Sequence, residues 1–143
     1  MANETLLVIS GFGVPPFSAR GLTQTLEPIA AALKQRRTVN GVLVNVAPTQ
    51  FQKYKSKITC HDMMAPAIDG VFPGLIVTVD CVAELSYLTA GGTPQRTVVD
   101  SSSHVEGAYT WYRPRLTMMM GPLTESQDEY GAAVAWSIDL EEV

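Results

Sequence analysis

From residue 75 to residue 88 the chain alternates without a break. Leu75, Val77, Val79, Cys81, Ala83, Leu85 and Tyr87 are apolar, and Ile76, Thr78, Asp80, Val82, Glu84, Ser86 and Leu88 lie between them. Successive side chains of a strand point to opposite faces, so period two over this length predicts a strand with one buried face. At ~3.3 Å per residue it would run roughly 45 Å, far beyond the usual five or six residues. A strand of that length bends, spans two sheets, or forms the spine of an elongated module. Pro73-Gly74 launches it and Gly91-Gly92 closes it. The interleaved face carries Ile76, Val82 and Leu88, which a purely solvated face would not need. Part of that face is therefore expected to be covered by a loop, the N-terminal segment or a neighbouring subunit.

Other stretches share the period. In residues 51–60, Tyr54, Ser56, Ile58 and Cys60 fall on one face and Lys53, Lys55 and Lys57 on the other. The lysine row reads as a solvated face or a charge-protected edge strand, ahead of a docking stripe for an acidic partner. At the C-terminus Val134, Trp136, Ile138 and Leu140 form an apolar face expected to pair inside a sheet. Asn40-Gly41, between β-branched flanks, predicts a hairpin over residues 36–46 with a type I′ turn. That signal makes residues 30–35 a continuation of strand rather than a helical turn. Residues 108–120 are aromatic and β-prone, with Pro114 marking an edge or bulge. Residues 121–130 read as a polar, acidic loop. Residues 5–10 are a short strand or part of an extended docking arm over residues 1–21. Within that arm Phe12, Val14 and Phe17 are interface candidates.

The expected fold is a single all-β domain over residues 1–143, an antiparallel sandwich or partly closed barrel of about seven to nine strands. That length suffices to bury a core without metal or disulfide. Cys60 and Cys81 are expected as buried thiols, ahead of a disulfide between them. Charged residues make up only 17% of the chain, against ~25% in typical soluble domains, so other protein chains are expected to cover some of the surface. A net charge of −4 argues against nucleic acid as the main partner, since duplex binding needs clustered Lys and Arg. No run approaches the ~18 apolar residues of a membrane span. The N-terminus lacks the basic region of a signal peptide, so synthesis in a cytoplasm is expected.

Catalytic constellations fail on geometry. Cys60 and His61 are adjacent in a strand and face opposite ways. His104 follows three serines but has neither an orienting group nor an oxyanion site in view. Two histidines some forty residues apart, without Cys-x-x-Cys or an EF-hand loop, make no metal site. Gly11-Phe12-Gly13 precedes Pro15-Pro16, which blocks the helix a phosphate loop needs. Asp80 and Glu84, roughly 13 Å apart on one face, are expected to pair with Lys or Arg on a neighbouring strand. Tyr109, Trp111, Arg113 and Arg115 share a parity and predict an aromatic–cationic stripe, of the residue types enriched at interface hot spots. No catalytic, cofactor-binding or metal-binding residue is assigned.

Several phrases nevertheless point in one direction. They are Ser18-Ala19-Arg20-Gly21-Leu22-Thr23-Gln24-Thr25-Leu26-Glu27-Pro28-Ile29, Arg37-Thr38-Val39-Asn40-Gly41, and Phe72-Pro73-Gly74 leading into Val77-Thr78-Val79-Asp80-Cys81-Val82-Ala83-Glu84-Leu85. Tyr112-Arg113-Pro114-Arg115-Leu116-Thr117-Met118 and Trp136-Ser137-Ile138-Asp139-Leu140-Glu141-Glu142-Val143 join them. The chain resembles small structural proteins of tailed bacteriophages over nearly its whole length, in phrases rather than in any catalytic motif. The resemblance implies an all-β, symmetrically repeated virion component, made in the host cytoplasm, with no catalytic residues to carry over. Its partners would be copies of itself and other virion proteins, on the tail side or as capsid decoration. A β-sandwich carbohydrate-binding module, stacking sugars on Trp111 and Tyr112, is the reading from another class.

Overall fold

The computed structural model describes residues 6–10, 13, 21–129 and 133–143. Its strands, in chain order, are β1 (Val8–Ile9), β2 (Thr23–Pro28), β3 (Gln35–Arg37), β4 (Leu43–Asn45), β5 (Tyr54–Asp62), β6 (Ile76–Asp80), β7 (Leu85–Leu88), β8 (Thr97–Val98), β9 (His104–Glu106), β10 (Tyr109–Tyr112), β11 (Pro114–Gln127) and β12 (Val134–Glu142). All ladders are antiparallel. The architecture is all-β and sandwich-like, with the barrel left open, as the alternating sequence implies.

The main sheet has the order β1-β6-β11-β12-β5-β2, with β8 also pairing β11. Its inner face is the face the periodicity selected. Ile58, Cys60, Val77, Val79, Leu116, Met118, Met120, Trp136, Ile138 and Leu140 are all buried there. Leu7 and Ile9 join the same core, so residues 6–10 belong to the sheet and not to an arm. Val71 and the partly buried Ile68 and Val82, from the segments flanking β6, pack over this face.

One amide stitches that cover to the far edge. Gln24 on the edge strand β2 accepts hydrogen bonds at Oε1 from the backbone N–H of Val82 (2.6 Å) and Ala83 (3.2 Å). Its Nε2 donates to Ser56 Oγ at 3.1 Å. At the end where β5 starts and β12 finishes, Arg96 Nε lies 2.9 Å from Glu142 Oε2. Glu142 Oε1 accepts from Arg96 Nη2 at 3.0 Å and from the Tyr54 amide at 3.1 Å. The same guanidinium sits 5.2 Å above the Tyr54 ring.

The long alternating stretch is one strand in pattern and two in structure. β6 pairs β11 up to Asp80↔Arg115, whereas β7 pairs β10 from Leu85↔Tyr112 onward. Between those pairs one side has four residues (81–84) and the other two (113–114). The excess bends the paired strands and starts a second sheet, ordered β7-β10-β9. Pro114 sits at the bend, where its missing N–H breaks no ladder and its carbonyl accepts from Cys81 N at 3.0 Å. The buried parity survives the break: Thr110, Tyr112, Pro114 and Leu116 all face inward.

Three local expectations need correction. Residues 121–127 are not a loop: β11 runs on to Gln127 through a bulge between Met120 and Leu123. Gly121-Pro122 makes the bulge, because a Cβ at Gly121 would lie 2.9 Å from the Asp139 carbonyl oxygen and Pro122 has no N–H to donate. The Asn40-Gly41 hairpin forms, pairing Gln35–Arg37 with Leu43–Asn45, but not with a type I′ turn. Of its central residues only Gly41 has positive φ (81°), and the Gly41 N–H donates to Thr38 O at 2.9 Å. A three-residue loop with the glycine in the left-handed region results. Finally, Ala30–Ala32 is a 3-10 turn and not strand.

Candidate interaction surfaces

The outer face of the main sheet has no second layer among the described residues. Across its strands Thr23, Thr59, Ser137 and Thr124 are register neighbours, with Thr124 Oγ1 and Ser137 Oγ 2.6 Å apart. With His61, Ser126 and Ala135 they line a shallow depression of about 500 Å³. A neighbouring groove lies over the bulge, between Lys55 and Lys57 on one side and Met119, Gly121 and Pro122 on the other.

The lysine row is not on an edge, since β5 lies between β12 and β2. Lys55 faces Glu27 and Glu141 across the ladders, and Lys57 faces Asp139. Lys55 Nζ is 2.8 Å from Glu27 Oε1, and that hydrogen-bonded carboxylate holds the ammonium above its ordinary pKa. Lys55 thus pairs with a carboxylate of its own sheet, and Lys57 lies opposite one.

Of the predicted stripe, the structure keeps the parity and divides the surface. Tyr109 and Trp111 lie on β10 in the small sheet, Arg113 lies at the bend, and Arg115 lies on β11 in the main sheet. Arg115 is committed to Asp80 (Nε to Oδ1 2.6 Å), whose hydrogen bond and charge raise its pKa further. The pairing expected for Asp80 is therefore present. Glu84 instead faces a histidine, with His104 Nε2 3.9 Å away. Tyr109 and Trp111 share the outer face of the small sheet with their register partners Leu88, Glu106, Ser86 and His104. Phe12, Val14 and Phe17 lie outside the described residues, as does most of the expected arm. Of the spine's interleaved apolar residues, Val82 packs on the core while Ile76 (55% exposed) and Leu88 (57%) are open in the single chain.

Cys60 and Asp62 are buried on the inner face of β5 and His61 projects from the outer face, so the three form no common site. No disulfide joins Cys60 to Cys81. Burial raises both thiols, Cys81 to about 11; nearby acidic groups add to the shift, opposed by the Gln24 hydrogen bond at Cys81 and by a backbone hydrogen bond of His61 at Cys60. Neither is a thiolate nucleophile near neutral pH. Among the described residues, no group of three His, Cys, Asp or Glu is placed to hold a metal ion, and no helix is long and apolar enough to cross a membrane.

The surface that sequence reasoning missed is the excursion between β2 and β5. Residues 33–51 contain no buried position and only Ala47 is even half-covered. Leu33, Val39, Val42, Leu43, Val44, Val46 and Phe51 are all exposed, Val39 fully so at 106%. The hairpin β3–β4 is held by its own ladder and by Asn45, which accepts from Lys34 N (2.9 Å) and donates to Ala32 O (3.1 Å). The available signal was the run Val42-Leu43-Val44, apolar on both faces of a strand that no described residue covers. Compared with known proteins, the chain matches no family model, no curated protein and no solved structure.

Proposed function

We propose that this chain is a non-enzymatic assembly subunit of a tailed-bacteriophage particle, on its tail side as a tip, baseplate or adaptor component. The observation that carries the assembly reading is the projecting hairpin, whose exposed apolar side chains find no cover among the described residues. Contiguous apolar surface rimmed by polar groups marks protein–protein contact. The virion context rests on the resemblance of the sequence phrases. Mass spectrometry of purified particles tests it: a tail-side component is expected at roughly six or twelve copies, as closed symmetry about a tail axis requires. Hundreds of copies would replace the tail-side placement by capsid decoration, and absence from particles would overturn the virion reading. Substrate turnover in an unbiased hydrolase screen, lost in His61→Ala or His104→Ala, would overturn the non-enzymatic part.

One observation favours a second reading. Tyr112 is buried on the inner face and cannot meet a sugar, but the half-exposed Tyr109 and Trp111 share the other face of the small sheet with the polar Ser86 and His104. Such a face suits stacking on a sugar ring, with the protein as a carbohydrate-binding module. Glycan-array binding that disappears in Trp111→Ala would support it, and a silent array would leave assembly alone.

A further inference from the structure

The two faces of the projecting hairpin differ in chemistry. Arg36 pairs with Val44 in register, and the Val46 N–H donates to Lys34 O at 2.9 Å. Lys34, Arg36, Val44 and Val46 therefore share one face of the ribbon, and all four are exposed. Neither cation has an ion-pair partner among the described residues. The polar groups of the opposite face are already bonded to backbone. Arg37 Nη1 donates to Gly41 O at 2.9 Å, and Asn45 joins Lys34 N and Ala32 O.

The outer face of the small sheet is its chemical complement. Leu88, Tyr109 and Glu106 form one cross-strand row, and Ser86, Trp111 and His104 form the next. Glu84 has the parity of Ser86 and Leu88 and stands beside His104. An apolar, aromatic centre thus lies between two exposed carboxylates. Glu106 has no ion-pair partner among the described residues, and Glu84 has only the histidine. Along β10 the same parity next reaches Arg113, at the bend, so one cation stands against the two carboxylates.

Both surfaces project from the same end of the main sheet. The hairpin departs after Pro28↔Tyr54, where β2 finishes and β5 starts, and the small sheet begins beyond Asp80↔Arg115, where β6 finishes. Glu141↔Lys55 and Met118↔Glu142 tie these ends together across β12. In the strand order, β12 alone separates the pair β6–β11, which the small sheet extends, from the pair β5–β2, which the hairpin connects. The centres of the two pairs are three strand spacings apart, about 14 Å. A two-fold axis along the sheet normal, midway between them at this end, exchanges the two positions. It sets the hairpin of each copy against the small sheet of the other.

We infer that the occupant of the hairpin's cationic face is the outer face of the small sheet of a second copy, in a reciprocal two-fold dimer. Lys34 and Arg36 then meet a face richer in carboxylates, Val44 and Val46 meet Leu88 and Tyr109, and Arg36 gains aromatic rings to stack on. Hairpin on hairpin would oppose cations, and small sheet on small sheet would oppose carboxylates, so charge selects the crossed contact. The contact is isologous and occurs twice in each pair, so it closes at two copies. This rests on the assembly reading above and names its partner and geometry.

The test uses two charge-reversed full-length chains, Lys34→Glu/Arg36→Glu and Glu84→Lys/Glu106→Lys, in sedimentation equilibrium and native mass spectrometry at low and high salt. Wild type is expected as a dimer, weaker at high salt. Each reversed chain alone is expected to associate at least ~10-fold more weakly, because both of its contacts then oppose like charges. Mixed in equal amounts they are expected to form a one-to-one heterodimer of wild-type strength, since both crossed contacts again join opposite signs. A chain carrying all four reversals is expected to dimerise with itself for the same reason. All four positions are exposed, so circular dichroism like that of wild type is expected for every variant. A monomeric wild type, growth beyond the dimer through this contact, reversed chains that associate like wild type, or a failure of both the mixture and the four-fold variant to recover would each overturn the crossed dimer. None of these bears on copy number in particles, so the virion reading stands or falls separately.

Discussion

Residues 54–62 and residues 33–51 are neighbours in sequence, and both enter antiparallel ladders, yet they use apolar side chains in opposite ways. On β5 Ser56, Ile58, Cys60 and Asp62 are buried, and on the other face Lys55 and Lys57 lie opposite carboxylates across the ladders. On the hairpin, valines and leucines occupy both faces and none is buried. The first pattern makes a fold, because burial of one face supplies the driving force. The second adds little to folding, and its hydrophobic free energy is released only when something else covers it. The contrast separates the part of the chain that holds the structure from the part that is available to a partner.

That contrast can be broken at several points. The largest effect is expected at Trp136, buried on β12 in the middle of the main sheet. Trp136→Ala should cost about 3–5 kcal/mol in urea unfolding, and a loss below ~1 kcal/mol would show that the inner face is not the core. Next comes Cys81, whose pKa is raised from 9.0 to about 11, chiefly by burial. A raised thiol stabilises the fold fully below the unfolded value, and that stability is lost as pH rises through the folded one. The stability of wild type relative to Cys81→Ala should therefore fall by about 2–3 kcal/mol from pH 9 to above pH 11. A flat difference over that window would place Cys81 in solvent. Gln24→Ala leaves the Val82 and Ala83 amides without their acceptor and should cost about 1–3 kcal/mol. Faster hydrogen exchange at those two amides would confirm the route. At the small end, Val39→Ser on the hairpin should change stability by less than about 0.5 kcal/mol while weakening self-association. A large stability loss there would mean that the hairpin is part of the fold after all.

The inner face was legible in the sequence because period two is a direct readout of one-sided burial. Val134, Trp136, Ile138 and Leu140, and Tyr54 through Cys60, were placed correctly by parity alone. What parity cannot carry is register. The spine kept its alternation through residues 81–84, so nothing in its pattern marked the two extra residues that divide it between sheets. Gly121-Pro122 read as a loop signal because glycine and proline end most strands. Here they form a bulge, which needs a glycine beside the Asp139 carbonyl and tolerates a residue without an N–H. The projecting hairpin was located by Asn40-Gly41, but its exposure was not. Whether an apolar strand is covered depends on distant parts of the chain, and none of the described residues covers this one.

The bend at residues 81–84 has a mechanical consequence. Both sheets are threaded by the same two strands, so the small sheet is no appendage on a linker. A pull along the small sheet's strands passes through residues 81–84 and 113–114 directly into the β6–β11 ladder. Both strands are then drawn the same way, so the shear falls on the flanking β11–β12 ladder, whose eight register pairs share the load rather than peeling one at a time. Whatever grips the aromatic face of the small sheet is thereby coupled to the main sheet.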